Sequence, residues 1–453
     1  MSRIVGRRLS DEEFLSALVL NSDPGKALEP HDARYVDCSE ARHGPPLVDT
    51  LARYIRRMDA APVLPGQNPA ARGSVVQLLC GHRGCGKTTE LKRLKANLED
   101  GGNGGRYLVC LCEADLYFDL LHASPAQVLF ALVQRLWEDL RPLGIQLRPP
   151  DLERFADEFL NLLLSPVEFQ KLEVDAKLVK LSAVIRERPN VRLVVQQFLG
   201  PRAQTVKAAI NEVLEQAEAA LQRKKYQGVV FIVDNLDRIS RACLDDSGQP
   251  LQDTLFRDGA KTLGGLRSHV IYTVPPALRY DVRAAQLQAA LGSQPATTLP
   301  MIPTQHRDGS PDEAGLERLR DIVRRRLAQC DPAAVDGAFD SDETLARLCR
   351  ASGGFVRHLV SLLRGAANYS DRLPIERRAV EQAIVDLRSE LSPGLSAAGR
   401  RELLKKVQNT REIEEAEEYA ALLEAFVILE YRSDFGPWYD VHPLVQEILR
   451  TAP

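Results

Sequence analysis

The sequence predicts an α/β fold: a five-stranded parallel sheet covered by helices on both faces, followed by a helical region and a short C-terminal β-hairpin. Three observations carry this. Five fully apolar runs alternate with stretches of helical periodicity, the pattern of strands buried on both faces. A glycine-rich segment joins the first run to a helix, and beyond about Pro311 strand signals vanish until the C-terminal end.

The runs are Val75-Val76-Gln77-Leu78-Leu79-Cys80, Tyr107-Leu108-Val109-Cys110-Leu111-Cys112, Val229-Val230-Phe231-Ile232-Val233, His269-Val270-Ile271-Tyr272-Thr273, and residues 297–303. Ahead of them, Ser10-Asp11-Glu12-Glu13 has capping-box spacing and starts a helix to about Leu20; residues 35–40 read as extended and 46–58 as an amphipathic helix. A Pro/Gly/Ala-rich linker over 60–73 follows. Residues 124–225 read as helical almost throughout, with Val206, Ile210, Val213, Leu214, Ala217 and Leu221 on one face. That is far longer than an ordinary connection between strands, which predicts an insertion used for partner contact. After the sheet, helices are expected over 313–328, 341–349, 354–367, 375–390, 397–408 and 412–429, then a hairpin turning at Ser433-Asp434-Phe435-Gly436-Pro437. Helices ending in a hairpin suggest a small winged-helix domain. The expected domains are therefore a leader (1–60), a core (61–310) with its insertion, a helical lid (311–391) and the winged helix (392–453).

At 453 residues the chain can bury several cores, and its 44% apolar and 27% charged content is ordinary for a globular protein. A net charge of -3 announces no nucleic-acid or membrane partner. No apolar stretch approaches the roughly 18 residues of a membrane span, and the N-terminus runs straight into charged sequence, so a cytoplasmic protein is expected. The eight cysteines lack a C-x-x-C pair and read as reduced structural thiols; the eight histidines are scattered without metal-ligand spacing.

Gly81-His82-Arg83-Gly84-Cys85-Gly86-Lys87-Thr88 fits the phosphate-binding pattern G-x-x-x-x-G-K-[ST] in its proper place between strand and helix. Gly81, Gly84 and Gly86 let the loop curl so that backbone N–H groups point at phosphates, and the following helix adds its positive dipole end. Lys87 is expected on the β- and γ-phosphates and the Thr88 hydroxyl on Mg²⁺; Cys85 and Thr89 complete the nucleotide-binding set, Cys85 as a small loop residue. His82 and Arg83 occupy free positions of the pattern. Asp234, closing the third apolar run, is the expected second Mg²⁺ residue.

In these motifs the chain resembles the AAA+/STAND branch of P-loop NTPases over about residues 35–450. Asp234-Asn235-Leu236-Asp237-Arg238 resembles the KAP group, and Gly353-Gly354-Phe355-Val356-Arg357 the sensor 2 segment of archaeal and origin-initiator ATPases. The resemblance implies an ASCE/AAA+-like core that binds ATP or ADP with Mg²⁺, with Thr273 as sensor 1 and Arg357 reaching the γ-phosphate from the lid. It also implies that His442, placed as in NB-ARC proteins, touches the β-phosphate of ADP and latches a resting state. Three departures stand out. Asn235 replaces the glutamate that serves as general base, leaving Asp237 as the nearest carboxylate and slow turnover as the expectation. Val356 replaces a proline. No arginine follows Thr273, so a trans arginine finger falls to Arg279 or Arg283.

The leading functional expectation is an ATP-dependent switch in bacterial signalling or conflict, including phage defence, working with a separate effector or sensor protein, with nucleotide-dependent self-assembly as one form of response. A DNA-associated initiator or loader is the second, disfavoured because residues 396–453 carry seven Lys/Arg against eleven Asp/Glu. The third is a nucleotide-stabilised scaffold with little turnover, which Asn235 favours.

Overall fold

The computed structural model describes residues 9–61, 74–147, 150–163, 177, 202–245, 247–281, 283–395, 399–414 and 417–451. They form two compact units: one from Val48–Cys80 and Leu91–Thr298, the other from Met1–Leu47, Gly81–Glu90 and Leu299–Pro453. This division cuts across the boundaries expected from sequence order. The helix Asp11–Asn21 packs on the helices Glu313–Cys330 and Val356–Asn368, so the first part of the leader belongs with the lid, whereas residues from Val48 onward belong with the sheet.

The first unit holds the sheet. Strands β1 (Val76–Cys80), β2 (Arg106–Glu113), β3 (Tyr226–Asp234), β4 (His269–Thr273) and β5 (Thr297–Thr298) lie in the order β2-β3-β4-β1-β5, all parallel. Every residue of β1 and β4 is buried, which is why their sequences are continuous apolar runs rather than alternating ones. Cys110 and Cys112 on β2 are wholly buried, as core thiols. The register sets Leu79 against Thr273, Tyr272 against Val233, and Asp234 against Glu113, so the carboxyl ends of β1, β4, β3 and β2 share one edge. Open α/β sheets bind ligands at that edge.

Two of the helices expected in an insertion cover the sheet instead. Pro125–Leu140, capped by the Ser124 hydroxyl with proline in its first turn, packs on β2; Ala203–Arg223 packs on β3. Val206, Ile210, Val213, Leu214, Ala217 and Leu221, the stripe expected on one face, are all buried in the main core. Burial of that stripe against β3 leaves it nothing to offer a partner. Pro150–Leu163 is a third helix of the segment, and most of residues 164–201 lie outside the described residues, as does most of the linker 60–73.

The second unit joins the helices Glu313–Cys330, Asp342–Ala351, Val356–Asn368 and Arg377–Leu391 to a C-terminal module: helices Arg400–Thr410 and Glu417–Glu424, strands β6 (Ile428–Ser433) and β7 (Gly436–Val441), and a final helix, Pro443–Thr451. The antiparallel hairpin stacks Tyr431 on Trp438 at 4.5 Å between ring centroids. Arg347 bonds both Glu381 and Glu447, and Arg388 also bonds Glu447, tying the last helix to the lid.

Three expected elements change. The run 297–303 forms a strand only at Thr297 and Thr298, because Pro300 and Pro303 have no N–H for a ladder. The N–H groups of Met301 and Ile302 donate instead to the carbonyls of Glu430 and Gly354. The helix expected over 412–429 is interrupted at its end: Phe426 takes a left-handed conformation (φ 60°), and β6 begins two residues later. Residues 35–40 are irregular rather than paired.

Candidate nucleotide site

The loop 81–88 has the backbone that phosphate binding requires. Gly81, Gly84 and Gly86 have φ of 145°, 88° and 109°, a region that residues with a Cβ rarely enter. Close neighbours reinforce the requirement. A Cβ on Gly81 would lie 2.7 Å from the Leu299 carbonyl oxygen, and one on Gly84 would lie 2.5 Å from Arg357 Nε. The Lys87 ammonium, nearly buried, donates to the carbonyls of Gly81 (2.7 Å) and His82 (2.9 Å), so it lies over the loop it is expected to serve. Cys85 is buried; its carbonyl accepts a 2.8 Å bond from Arg42, whose guanidinium also lies 3.9 Å from where a Gly86 Cβ would stand. Thr89 accepts the Leu28 N–H at 3.1 Å, and Tyr35 donates to Glu90 at 3.1 Å. Segment 28–42 is thereby stitched to the loop and to the first turn of the helix Lys87–Asp100. The cradle, the lysine and the Thr88 hydroxyl are a donor set that fits a Mg²⁺-bound polyphosphate.

Arg357 stands in the first turn of the helix Val356–Asn368, and its side chain lies on Gly84. The placement follows from the turn before it. Gly353 and Gly354 take left-handed φ (60° and 72°), and a Gly354 Cβ would fall 1.5 Å from the Ile302 carbonyl oxygen. The Gly-Gly pair is therefore what allows the lid helix to start where Arg357 meets the loop.

His82, a free position in the sequence pattern, reaches from the loop to the C-terminal module. Its Nδ1 lies 3.1 Å from the Leu423 carbonyl, and its Nε2 accepts the Glu430 N–H at 3.3 Å. A neutral ring with its proton on Nδ1 satisfies both contacts. Burial, aided by the nearby Lys87 charge, pushes its pKa down to about 3, so the neutral form persists. The ring also begins a continuous aromatic path, with centroids 6.3 Å from His82 to Phe426, 5.1 Å to Phe355, 4.3 Å to His358 and 5.0 Å to His442. Phe426 holds its place in that path from a left-handed backbone where glycine would be unstrained.

His442 occupies a different place from the one the family resemblance implied. It is fully buried, its Nδ1 accepts the Leu444 N–H at 3.2 Å, and its Nε2 lies 2.9 Å from His358 Nδ1. Both ring nitrogens are engaged inside the protein, so in this arrangement neither is offered to a phosphate. Burial pushes the His442 pKa down to about 3 and that of His358 well below its usual value; both rings are neutral.

The sheet unit carries the remaining candidates. Asp234 is buried at the end of β3, and its Oδ1 accepts the Asn235 N–H at 2.8 Å. Asn235 has φ 70° and donates its amide to Asp115 at 2.6 Å; Arg238 pairs with the same carboxylate at 2.7 Å. Nothing in the spacing of the chain signals Asp115, which follows β2 and meets Asn235 only because β2 and β3 are neighbours. Asp237 is buried in the turn Leu236–Arg238, and Thr273, also buried, donates to the Val233 carbonyl at 3.3 Å. Arg283 pairs with Asp281, and Arg279 donates to Tyr280. The parallel sheet, the loop that leaves β1 and the acid that ends β3 together make a P-loop NTPase fold.

No family model matches the chain, and no curated protein matches it. Among solved structures, the chain is similar to the Walker-type ATPase of Pyrococcus abyssi, with 13% identity and a TM-score of 0.44 over 95% of this chain and 99% of that one. It is also similar to the ORC2 protein of Aeropyrum pernix. In its ADPNP–ADP complexes that protein shares 12% identity at a TM-score of 0.42, over 95% of this chain and 97% of that one. In its ADP form the values are 12% and 0.39, over 95% of each chain.

Proposed function

We propose that this chain is an ATP-binding, slowly hydrolysing molecular switch of the STAND kind, whose C-terminal module, read as a winged helix, changes its docking with the state of the nucleotide. The observation that carries the reading is His82. A residue inside the phosphate-binding loop bonds directly to Glu430 and Leu423 of the module, while Arg357 of the lid lies on the same loop. A loop that adjusts to a γ-phosphate has a rigid path by which to move the hairpin.

Lys87 and the loop N–H groups would hold the phosphates, and Arg357 would distinguish ATP from ADP by charge. Thr88 and Asp234 are the proposed Mg²⁺ residues, on the strength of their hard oxygen donors; the ion would neutralise charge on the phosphates. Asn235 can orient a water but not take its proton, which supports low turnover and leaves Asp237 as the proposed base. The output is proposed to lie in a separate effector or sensor protein in bacterial signalling or phage defence, with nucleotide-dependent self-assembly as one form of response.

The test is nucleotide binding and phosphate release by the full chain beside Lys87→Ala. Micromolar ATP binding that Lys87→Ala abolishes, with slow but Lys87-dependent release, supports the switch. Release equal to that of Lys87→Ala despite ATP binding would favour the scaffold reading, and salt-dependent nanomolar affinity for duplex DNA the initiator reading.

A further inference from the structure

Away from the phosphate loop, three side chains from distant parts of the sequence converge in the second unit. His43 Nε2 and His306 Nδ1 lie 3.4 and 3.5 Å from the same carboxylate oxygen, Asp312 Oδ2, and the three ligand atoms are all within 4.8 Å of one another. We propose that His43, His306 and Asp312 form a binding site for a divalent transition-metal ion of the zinc class.

The distances argue for an ion rather than for hydrogen bonds. An N–H···O bond to a carboxylate has its optimum near 2.7–2.9 Å, so both imidazoles stand too far from Asp312 for good hydrogen bonds. Around a tetrahedral ion with bonds of about 2.0–2.1 Å, neighbouring ligand atoms are separated by about 3.3–3.4 Å, close to both separations. The donor set points the same way: two neutral imidazoles and one carboxylate suit zinc, copper or nickel, whereas calcium and magnesium favour all-oxygen shells.

The carboxylate is held for this role. Asp312 is 2% exposed, and its Oδ1 accepts the Gly315 N–H at 2.8 Å as it caps the helix Glu313–Cys330, which fixes Oδ2 towards the two rings. A side chain at Gly315 would displace this turn, since a Cβ there would lie 1.8 Å from the Pro303 carbonyl oxygen. His306 is positioned by a tight loop in which its N–H donates to the Ser310 carbonyl at 2.8 Å. His43 presents Nε2 to the site, with the exposed Asp434 carboxylate 3.9 Å from its Nδ1. With three protein ligands, a fourth position is left for water or a partner group. An ion here would pin the segment before the helix Leu47–Asp59 to the start of the lid, beside the hairpin turn.

The experiment is a titration of the chelator-treated full chain with zinc chloride in the presence of millimolar Mg²⁺, read by calorimetry and by competition with a chromophoric chelator. Cobalt(II) substitution reports coordination geometry. One equivalent of zinc unaffected by Mg²⁺, weakened at least about tenfold in His306→Ala and in His43→Ala, and retained in Lys87→Ala, is the expected result; about tenfold is the lower end for loss of a group supporting a metal. The His306 side chain is half exposed, so its variant is expected to keep the metal-free melting curve. The proposal is overturned by no stoichiometric binding in the wild type, or by undiminished binding in His43→Ala/His306→Ala. Neither outcome depends on whether the phosphate loop binds ATP.

Discussion

The imidazole of His82 is bonded to the backbone N–H of Glu430, so a residue of the phosphate loop holds the first strand of the C-terminal hairpin. Replacing His82 by alanine leaves the Glu430 N–H and the Leu423 carbonyl without this partner in a buried place, at a cost of about 1–3 kcal/mol. The expected result is a lower melting temperature for the second unit. ATP binding should change less than in Lys87→Ala, because His82 supplies no invariant element of the motif. Glutamine is the conservative variant and should recover part of the loss.

Phe426 tests whether the aromatic path explains a strained backbone. At φ 60°, Phe426→Gly removes both ring and strain, whereas Phe426→Ala removes the ring and keeps the strain. Denaturant unfolding should find the glycine variant less destabilised than the alanine variant by about 1 kcal/mol. Equal destabilisation would mean that the backbone is not strained there.

Gly84→Ala places a methyl group against Arg357 as well as demanding φ 88° of an alanine. The variant should lose about 1–3 kcal/mol of stability, and its nucleotide affinity should fall at least about tenfold. Combining it with Arg357→Gly should restore part of the stability, but not the affinity, since that change removes the Nε, Cδ and Cβ atoms the new methyl meets, while the cation is lost.

Three buried neutral histidines set a pH dependence. His82 and His442 are pushed down to about 3 and His358 well below its usual value, each mainly by burial. Their folded pKa values lie below the unfolded value of about 6.5, so on acidification the unfolded chain takes up protons that the folded chain refuses. Stability is therefore present above about pH 6.5 and is lost as pH falls through that value, by up to about 1.4 kcal/mol per histidine per pH unit. Denaturant melts at pH 7.5 and 5.5 should show the loss, and His442→Gln should flatten the slope.

At the end of β3, Asp237 and Asp115 separate by role. Asp115 is committed to Asn235 and Arg238 and acts as a positioning residue for the amide; Asp237 is the proposed base. Asp237→Asn should lower phosphate release by about 10² with binding intact, whereas Asp115→Asn should change it less than about tenfold. The reverse ranking would reassign the base.

What the sequence could disclose follows from the range of each interaction. Gly81, Gly84 and Gly86 were readable because their spacing reports a local backbone, and β1 to β4 because strands buried on both faces are apolar throughout. β5 is shorter than its apolar run because Pro300 and Pro303 offer no N–H, and the N–H groups of Met301 and Ile302 bond outside the sheet. Contacts made across long separations were not readable: Asn235 to Asp115 spans 120 residues, His82 to Glu430 spans 348, and His43 to Asp312 spans 269. The phosphate contact that the resemblance implies for His442 does not appear, because both of its ring nitrogens are engaged within the protein, by His358 and the Leu444 N–H.

The central claim is that nucleotide state reaches the C-terminal hairpin through the loop. Hydrogen exchange of the full chain, measured without nucleotide, with ADP and with a non-hydrolysable ATP analogue, tests it directly. Residues 423–442 are expected to exchange at different rates with ADP and with the analogue, and His82→Ala is expected to abolish the difference. Protection confined to residues 81–90, with identical exchange over 423–442 in both nucleotide states, would contradict it.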